Sequence, residues 1–305
     1  MKVLVLLGPT ATGKTKLAIE LAKQIGGEII SADSMQVYRG MDIGTAKPTL
    51  EERQGIPHHL IDIRNPDESW TVSDFVEQAN GLTGTLAHPI IVGGTGLYLW
   101  ALLEGFSFPI TPADKELRSR LEKEPASALY AQLSTIDSLS AKKIHPNDKK
   151  RIIRALEVFE LTGKPISSLQ SNKNNSPDLN PGNYNALLIG LNFPKDILYE
   201  RINQRVDSMI EKGLIEEVKG LLDQGYHKGL PSMQALGYKE VIDYLDGKWS
   251  KEEMIAELKK RTRNFARRQM TWFRRFKSVR WLEAGQPLPR DWFGETYPAA
   301  GLSRP

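Results

Sequence analysis

LLGPTATGKTKLAIEL, residues 6–21, places Gly8, Gly13, Lys14 and Thr15 at G-x-x-x-x-G-K-T spacing. In such a loop successive backbone N–H groups wrap phosphate oxygens, and the following helix adds the positive end of its dipole. Gly8, Pro9, Thr10, Ala11, Thr12, Gly13, Lys14 and Thr15 are therefore the candidate phosphate-binding residues. Lys14 would add a full charge, and the hydroxyl of Thr15 suits Mg²⁺. KVLVLL before the loop reads as a strand, and Lys14–Gln24 after it as an amphipathic helix. That context turns a glycine-rich stretch into a phosphate site without naming whose phosphate it holds.

The same alternation continues. EIISADS (28–34), HHLIDI (58–63) and HPIIVGGTG (88–96) read as further strands, with apolar LYLWALLEG after the last. Short apolar runs alternating with helices predict a parallel sheet with right-handed crossovers. In such sheets ligands bind beyond the carboxyl ends of the strands. Gly8–Thr15, Asp33–Gln36 and Gly93–Thr95 are thus expected around one crevice.

From about residue 112 to 169 the texture is helical, and SNKNNSPDLNPGN (171–183) reads as an exposed loop. YNALLIGLNF (184–193) returns as a strand, and the chain is then mostly helical to about Lys277. The expected layout is an α/β core, residues 1–110 and 184–285, with a P-loop NTPase-like parallel sheet flanked by helices. An all-helical insertion occupies 111–183, and 286–305 form a loosely held tail rich in Pro and Gly.

The 305 residues are 40% hydrophobic and 26% charged, within the ordinary globular range. No cysteine is present, which excludes disulfides, thiolate-zinc sites and a thiol nucleophile. The five histidines lack metal-ligand spacing. Val3–Leu7 is too short for a signal peptide or a membrane span, so a cytoplasmic protein without membrane attachment is expected. Net charge is only +4, yet Lys259–Arg280 holds ten Lys/Arg and no Asp/Glu. Within it Phe265, Trp272 and Phe276 share one helical face and are expected to dock in the core, leaving the arginines solvated. Such uninterrupted positive charge attracts RNA.

Three further readings stay open on residue chemistry. Asp33, following a strand, is either a proton acceptor at the crevice or a turn cap. Gln36 either pairs with an adenine edge or lies idle on the surface. Asp62 in LIDI is either a Mg²⁺-organising carboxylate or a capping residue.

GPTATGKT, SADSMQVYRGMDIGTAKP (31–48), VGGTGLY (92–98), HPNDKKRIIRALEV (145–158), SMQALGYKE (232–240) and RTRNFARRQMTWFRR (261–275) together resemble, in order, the signatures of the tRNA dimethylallyltransferase family. The resemblance spans about residues 3–282 and is to the type without a zinc finger. It implies transfer of a dimethylallyl group from dimethylallyl diphosphate to N6 of the adenine just 3′ of the anticodon, with Mg²⁺. The P-loop would then hold pyrophosphate and not ATP for hydrolysis. Asp33 would be the general base, with Lys14, Thr10, Thr15, Thr95 and Arg205 around the donor. Asp33, Ser34, Met35 and Gln36 would read an extruded base. Arg118, the segment Lys150, Arg151, Ile152, Ile153 and Arg154, and the segment Gln234, Ala235, Leu236, Gly237, Tyr238 and Lys239 would meet the tRNA anticodon stem-loop. A monomer is expected. The alternatives are a P-loop small-molecule or nucleotide kinase, an adenylate isopentenyltransferase acting on free AMP, and a non-catalytic RNA-binding protein.

Overall fold

A computed structural model describes residues 2–105, 114–169, 184–289 and 292. The expected loop at 171–183 and most of the 286–305 tail lie outside these residues. The strands are β1 (Lys2–Leu7), β2 (Glu28–Ser31), β3 (His58–His59), β4 (Pro89–Gly93), β5 (Asn185–Asn192) and β6 (Arg280–Glu283). The α-helices are α1 (Lys14–Ile25), α2 (Leu50–Arg53), α3 (Val72–Thr85), α4 (Gly96–Leu103), α5 (Lys115–Glu122), α6 (Ala126–Ile136) and α7 (Ser138–Ala141). They continue with α8 (Lys149–Thr162), α9 (Ile166–Leu169), α10 (Lys195–Glu211), α11 (Leu214–Asp223), α12 (Tyr238–Leu245) and α13 (Lys251–Phe273).

The fold is α/β. One parallel sheet has strand order β3-β2-β4-β1-β5-β6. Val3–Leu7 of the central strand are fully buried, as a strand covered on both faces requires. Helix α1 buries Ala18, Ile19, Leu21 and Ala22 against Leu4, Leu6, Ile29, Ile90, Val92 and Ile189. Its last turn closes on Gly26 in the left-handed region, donating to the Ala22 carbonyl.

The chain divides into two compact units, Met1–Leu102 with Asn183–Pro305, and Leu103–Gly182. The second unit is helical where described. Its core is Leu121, Leu129, Leu133, Ala141, Ile152, Ile153, Leu156, Val158 and Ile166. Asp137 caps α7 through the Ser140 N–H at 2.9 Å and also accepts from the Ser167 N–H at 2.9 Å, joining α7 to α9.

Three expectations differ from what the structure shows. HHLIDI forms a strand only over His58–His59, because Leu60 and Asp62 turn into the left-handed region (φ 62° and 57°). The N–H groups of Asp62 and Ile63 then donate to the carbonyls of Gln36 and Val37 instead of extending the sheet. Strand β6 was not foreseen: it is an edge strand with only Leu282 buried, so it carries no apolar run. Beyond it Leu288 and Trp292 pack, partly buried, against the sheet's hydrophobic clusters. On α13 the buried face is Met254, Leu258, Thr262, Ala266, Gln269 and Phe273, while Phe265 and Trp272 are half-buried. Their rings take Arg268 and Arg275 guanidinium groups at 5.8 and 4.3 Å, Trp272 also packs closely on Gly96, and Phe276, just past α13, is buried as expected.

Candidate active site

Strands β1, β4 and β2 are neighbours, so the loops leaving their carboxyl ends stand side by side. These loops are Gly8–Gly13, Gly94–Thr95 and Ala32–Gln36.

The P-loop backbone is fixed by sterics and by side chains from distant helices. Gly8 has φ 149°, and a Cβ there would meet the Leu191 carbonyl oxygen at 2.3 Å. Ala11 and Gly13 are left-handed (φ 66° and 86°). The Pro9 carbonyl accepts from the Thr12 hydroxyl at 2.9 Å and from the Lys14 ammonium at 2.8 Å. Helix α10 reaches in twice. Arg201 donates to the Ala11 carbonyl at 3.0 Å, and Arg205 to the Thr10 hydroxyl at 3.3 Å. Helix α13 supplies Gln269, which accepts from the Thr10 N–H at 2.9 Å and donates to the Gly94 carbonyl at 3.0 Å.

Charge here is unbalanced toward the positive. Burial first, and then the neighbouring Arg205, lower the Lys14 pKa from 10.5 to about 7, with Asp33 opposing. Burial likewise lowers Arg205, and Asp33 again opposes. Cations destabilised by burial gain most from an anionic partner.

The other two loops are stitched to each other. Thr95 donates its N–H to the Ala32 carbonyl at 3.3 Å, and its hydroxyl accepts from the Ser34 N–H at 3.2 Å. A Cβ on Gly93 would meet the Ala32 carbonyl oxygen at 2.2 Å, so glycine sets this close approach. Asp33 Oδ1 accepts from the N–H groups of Met35 (2.9 Å) and Gln36 (3.3 Å). Capping and proximity to the cations thus coexist at Asp33. Gln36 is not idle. Its oxygen accepts from the Ser31 hydroxyl at 3.1 Å, and its amide nitrogen makes long contacts of 3.4 Å to the Thr45 and Ala46 carbonyls.

The segment after Gln36 is tied from elsewhere. Glu217 of α11 accepts from the N–H groups of Asp42 (3.0 Å), Ile43 (2.7 Å) and Gly44 (3.1 Å). It also accepts from the Tyr238 hydroxyl at 2.5 Å. Burial, then the Glu217 charge, push the Tyr238 phenol upward, so it stays a donor. Buried Lys47 bonds to Asp42 and Asp62, each at 2.5 Å, and to the Tyr38 carbonyl at 2.8 Å.

These partners bear on several sequence readings. Asp62 is paired with Lys47 and Arg53, and it follows β3, which is separated from β1 by β2 and β4. Its carboxylate serves as an ion-pair partner. Tyr238, Gly237 and Ala235 are buried, leaving Gln234 and Lys239 exposed in that segment. Ile152 and Ile153 belong to the helical core, so Lys150 and Arg151 are what that segment presents. Arg118 and Arg154 both bind Glu157, a fully buried carboxylate, at 2.7 and 2.6 Å. Burial would raise that carboxyl's pKa, but the bonds from Arg118, Arg154 and the Asp114 N–H hold it below the ordinary value. Gln269, Arg201, Glu217 and Lys47 escaped the sequence reading as site residues. Nothing in local patterning marks them: Gln269, Arg201 and Glu217 act on backbone more than 170 residues away, and Lys47 acts across a folded loop.

For a divalent cation, the described residues hold no cluster of three or more His, Asp or Glu. The Thr15 hydroxyl is a hard oxygen donor of the kind Mg²⁺ takes.

A glycine-rich loop after β1 braced by two arginines, with an aspartate on the loop leaving β2 one strand further across the sheet, is the arrangement of a P-loop α/β fold. The family follows from comparison. The IPP transferase model matches residues 36–276 and the isopentenyl transferase model residues 1–70. The chain belongs to the IPP transferase family. It is 50% identical over 287 residues to the tRNA dimethylallyltransferase of Pelotomaculum thermopropionicum, covering 92% of this chain and 90% of the relative. Identity to the tRNA dimethylallyltransferase of Halalkalibacterium halodurans is 48%, covering 92% and 91%. Among solved structures, the full-length tRNA isopentenylpyrophosphate transferase of Bacillus halodurans superposes with TM-score 0.68 at 47% identity, covering 93% and 90%. A eukaryotic dimethylallyltransferase acting on tRNA gives TM-score 0.79 at 31% identity, covering 93% of this chain and 74% of that one.

Proposed function

We propose that this protein is a tRNA dimethylallyltransferase: it transfers the dimethylallyl group of dimethylallyl diphosphate to N6 of the adenine 3′-adjacent to the anticodon. The observation that carries this reading is that the loops leaving β1, β4 and β2 bring the Lys14–Arg205 phosphate loop, Thr95 and the Asp33 carboxylate to the same end of the sheet, with Thr95 bonded to the Asp33 loop. A carboxylate at that end of the sheet is available to accept a proton from an attacking nucleophile. The N6–C1 bond forms as the C1–O bond to diphosphate breaks, and the N6 proton passes to Asp33. An exocyclic amine is a weak nucleophile, so acceptance of its proton lowers the barrier. Lys14, Arg205 and the P-loop N–H groups neutralise the charge that develops on the leaving diphosphate. Mg²⁺ held by Thr15 and the diphosphate would add countercharge there. Thr95 holds the Ser34 N–H and so orients the Asp33 loop.

The acceptor enters by base extrusion, with the backbone of residues 33–36 framing it. Gln234, Lys239, Lys150 and Arg151 are the side chains exposed for RNA in the two segments assigned to it. Exposed Arg267, Arg268, Arg274, Arg275 and Lys277 add electrostatic attraction. No helix among the described residues is long and apolar enough to cross a membrane. We place the protein in the cytoplasm, acting as a monomer.

The test is mass spectrometry of an unmodified tRNA incubated with the protein, Mg²⁺ and dimethylallyl diphosphate, without ATP. One isopentenyl group gained on the adenine beside the anticodon is the expected result. No gain with folded protein, or a better yield on free AMP, would overturn the reading. Engagement of Asp62 by Lys47 leaves the kinase alternative without its expected Mg²⁺-organising carboxylate.

A further inference from the structure

We infer that Gln269 is a positioning residue that locks the diphosphate cradle in register with the loops carrying Thr95 and Asp33. This rests on the transferase reading above and adds a residue to it.

Gln269 sits on the buried face of α13, 5% exposed. Both ends of its amide are used across long sequence separations. The oxygen accepts from the Thr10 N–H in the P-loop, and the nitrogen donates to the Gly94 carbonyl after β4. One partner is an obligate donor and the other an obligate acceptor, so the amide has a single satisfactory orientation. From Gly94 the connection continues through covalent chain to Thr95, whose hydroxyl holds the Ser34 N–H beside Asp33. The donor-side loop and the base-side loop are therefore linked by one planar group of fixed length.

The surroundings are shaped for this amide. A Cβ on Gly94 would lie 2.4 Å from the Gln269 nitrogen. Glycine at 94 lets the side chain reach the carbonyl. The Thr10 N–H that Gln269 engages belongs to the residue whose hydroxyl accepts from Arg205. Displacement of Thr10 would thus move a phosphate-side cation as well. A misplacement of about 1 Å between reacting groups costs on the order of 10²-fold in rate.

Two variants separate positioning from bulk stability. Gln269→Met keeps the volume and removes both bonds. Gln269→Glu keeps an acceptor for Thr10 and opposes an oxygen to the Gly94 carbonyl. Prenyl transfer is measured well below each variant's melting temperature, with unmodified protein alongside. Both variants are expected to lose about 10²-fold in kcat. The KM for tRNA should stay within a few-fold, because the RNA-facing side chains are untouched. Inorganic diphosphate binding, read by calorimetry, should weaken several-fold in Gln269→Met, whatever the acceptor proves to be. Wild-type kcat and wild-type diphosphate affinity in a folded Gln269→Met protein would overturn the inference. So would a loss confined to the KM for tRNA. Absence of transfer by the unmodified chain would instead strike the transferase reading; diphosphate affinity would still decide the role of Gln269 in the cradle.

Discussion

The α/β unit and the helical unit both bury charge, and they use it differently. In the helical unit, buried Glu157 gathers Arg118, Arg154 and the Asp114 N–H, all within one bundle of helices. Its charge fastens helices to helices. In the α/β unit, polar side chains fasten loops: Glu217 takes three successive N–H groups, Lys47 takes the Tyr38 carbonyl, and Gln269 spans Thr10 and Gly94. Loops at strand ends have no ladder to satisfy their backbone, so side chains do it. That arrangement keeps a site preorganised while leaving its N–H groups aimed.

This contrast is open to direct attack, and the largest effect should come from the chemistry itself. Asp33→Ala should lower kcat by about 10³-fold, some 4 kcal/mol, with tRNA affinity near wild type. Retained prenylation would remove the general base, and retained tRNA binding with no activity in any variant, including wild type, would favour an RNA-binding protein. Next comes Glu217→Ala, which orphans the Asp42–Gly44 N–H groups and the Tyr238 hydroxyl. About 2 kcal/mol of stability should be lost, together with activity per folded molecule. Glu157→Ala should cost about 1–2 kcal/mol in chemical denaturation, limited because both arginines are partly exposed and can re-solvate. Its activity per folded molecule should fall less than that of Glu217→Ala. Equal losses in the two would erase the distinction between loop-fastening and helix-fastening charge.

A smaller effect concerns pH. Lys14 titrates near 7 when the site holds no ligand, against 10.5 for an ordinary lysine. Between those values the unfolded chain binds the extra proton, so this residue's contribution to stability rises with pH. An anion favours the charged amine, so diphosphate binding at pH 8 should take up a proton at Lys14 that at pH 6 is already present. Relative to Lys14→Gln, the wild-type affinity advantage should shrink about tenfold from pH 6 to pH 8. Calorimetry in buffers of different ionisation enthalpy measures the uptake; no Lys14-dependent proton would refute it. The smallest effect should come from Lys150→Ala or Arg151→Ala, each reducing the salt slope of tRNA affinity by about one. An unchanged slope would mean that these cations face solvent only.

Much of this was legible in the order of residues. Val3–Leu7 is apolar throughout because a central parallel strand is covered on both faces. The G-x-x-x-x-G-K-T spacing is legible because a phosphate loop is a local object: its N–H groups, its glycines and its lysine lie within eight residues. YNALLIGLNF returned to the sheet as β5 for the same reason as β1. Edge strand β6 was hidden because one buried residue makes no pattern. The aromatic face was right at Phe276, which is buried, but Phe265 and Trp272 are half-buried beneath arginines, and the packed stripe of α13 runs through small and polar residues such as Ala266 and Gln269.

Sequence by itself determined the class of fold, the phosphate loop and, through ordered motifs, the family. Those are properties of short segments, where periodicity and spacing are enough. Only the tertiary structure decided which polar side chains act. Asp62 was diverted to Lys47, Tyr238 and Ile152–Ile153 were withdrawn into cores, and Gln269, Glu217 and Arg201 were brought to backbone atoms more than 170 residues away in the chain. The physical reason is that a buried hydrogen bond is set by three-dimensional proximity and the need to satisfy every polar group, and neither leaves a period in the sequence.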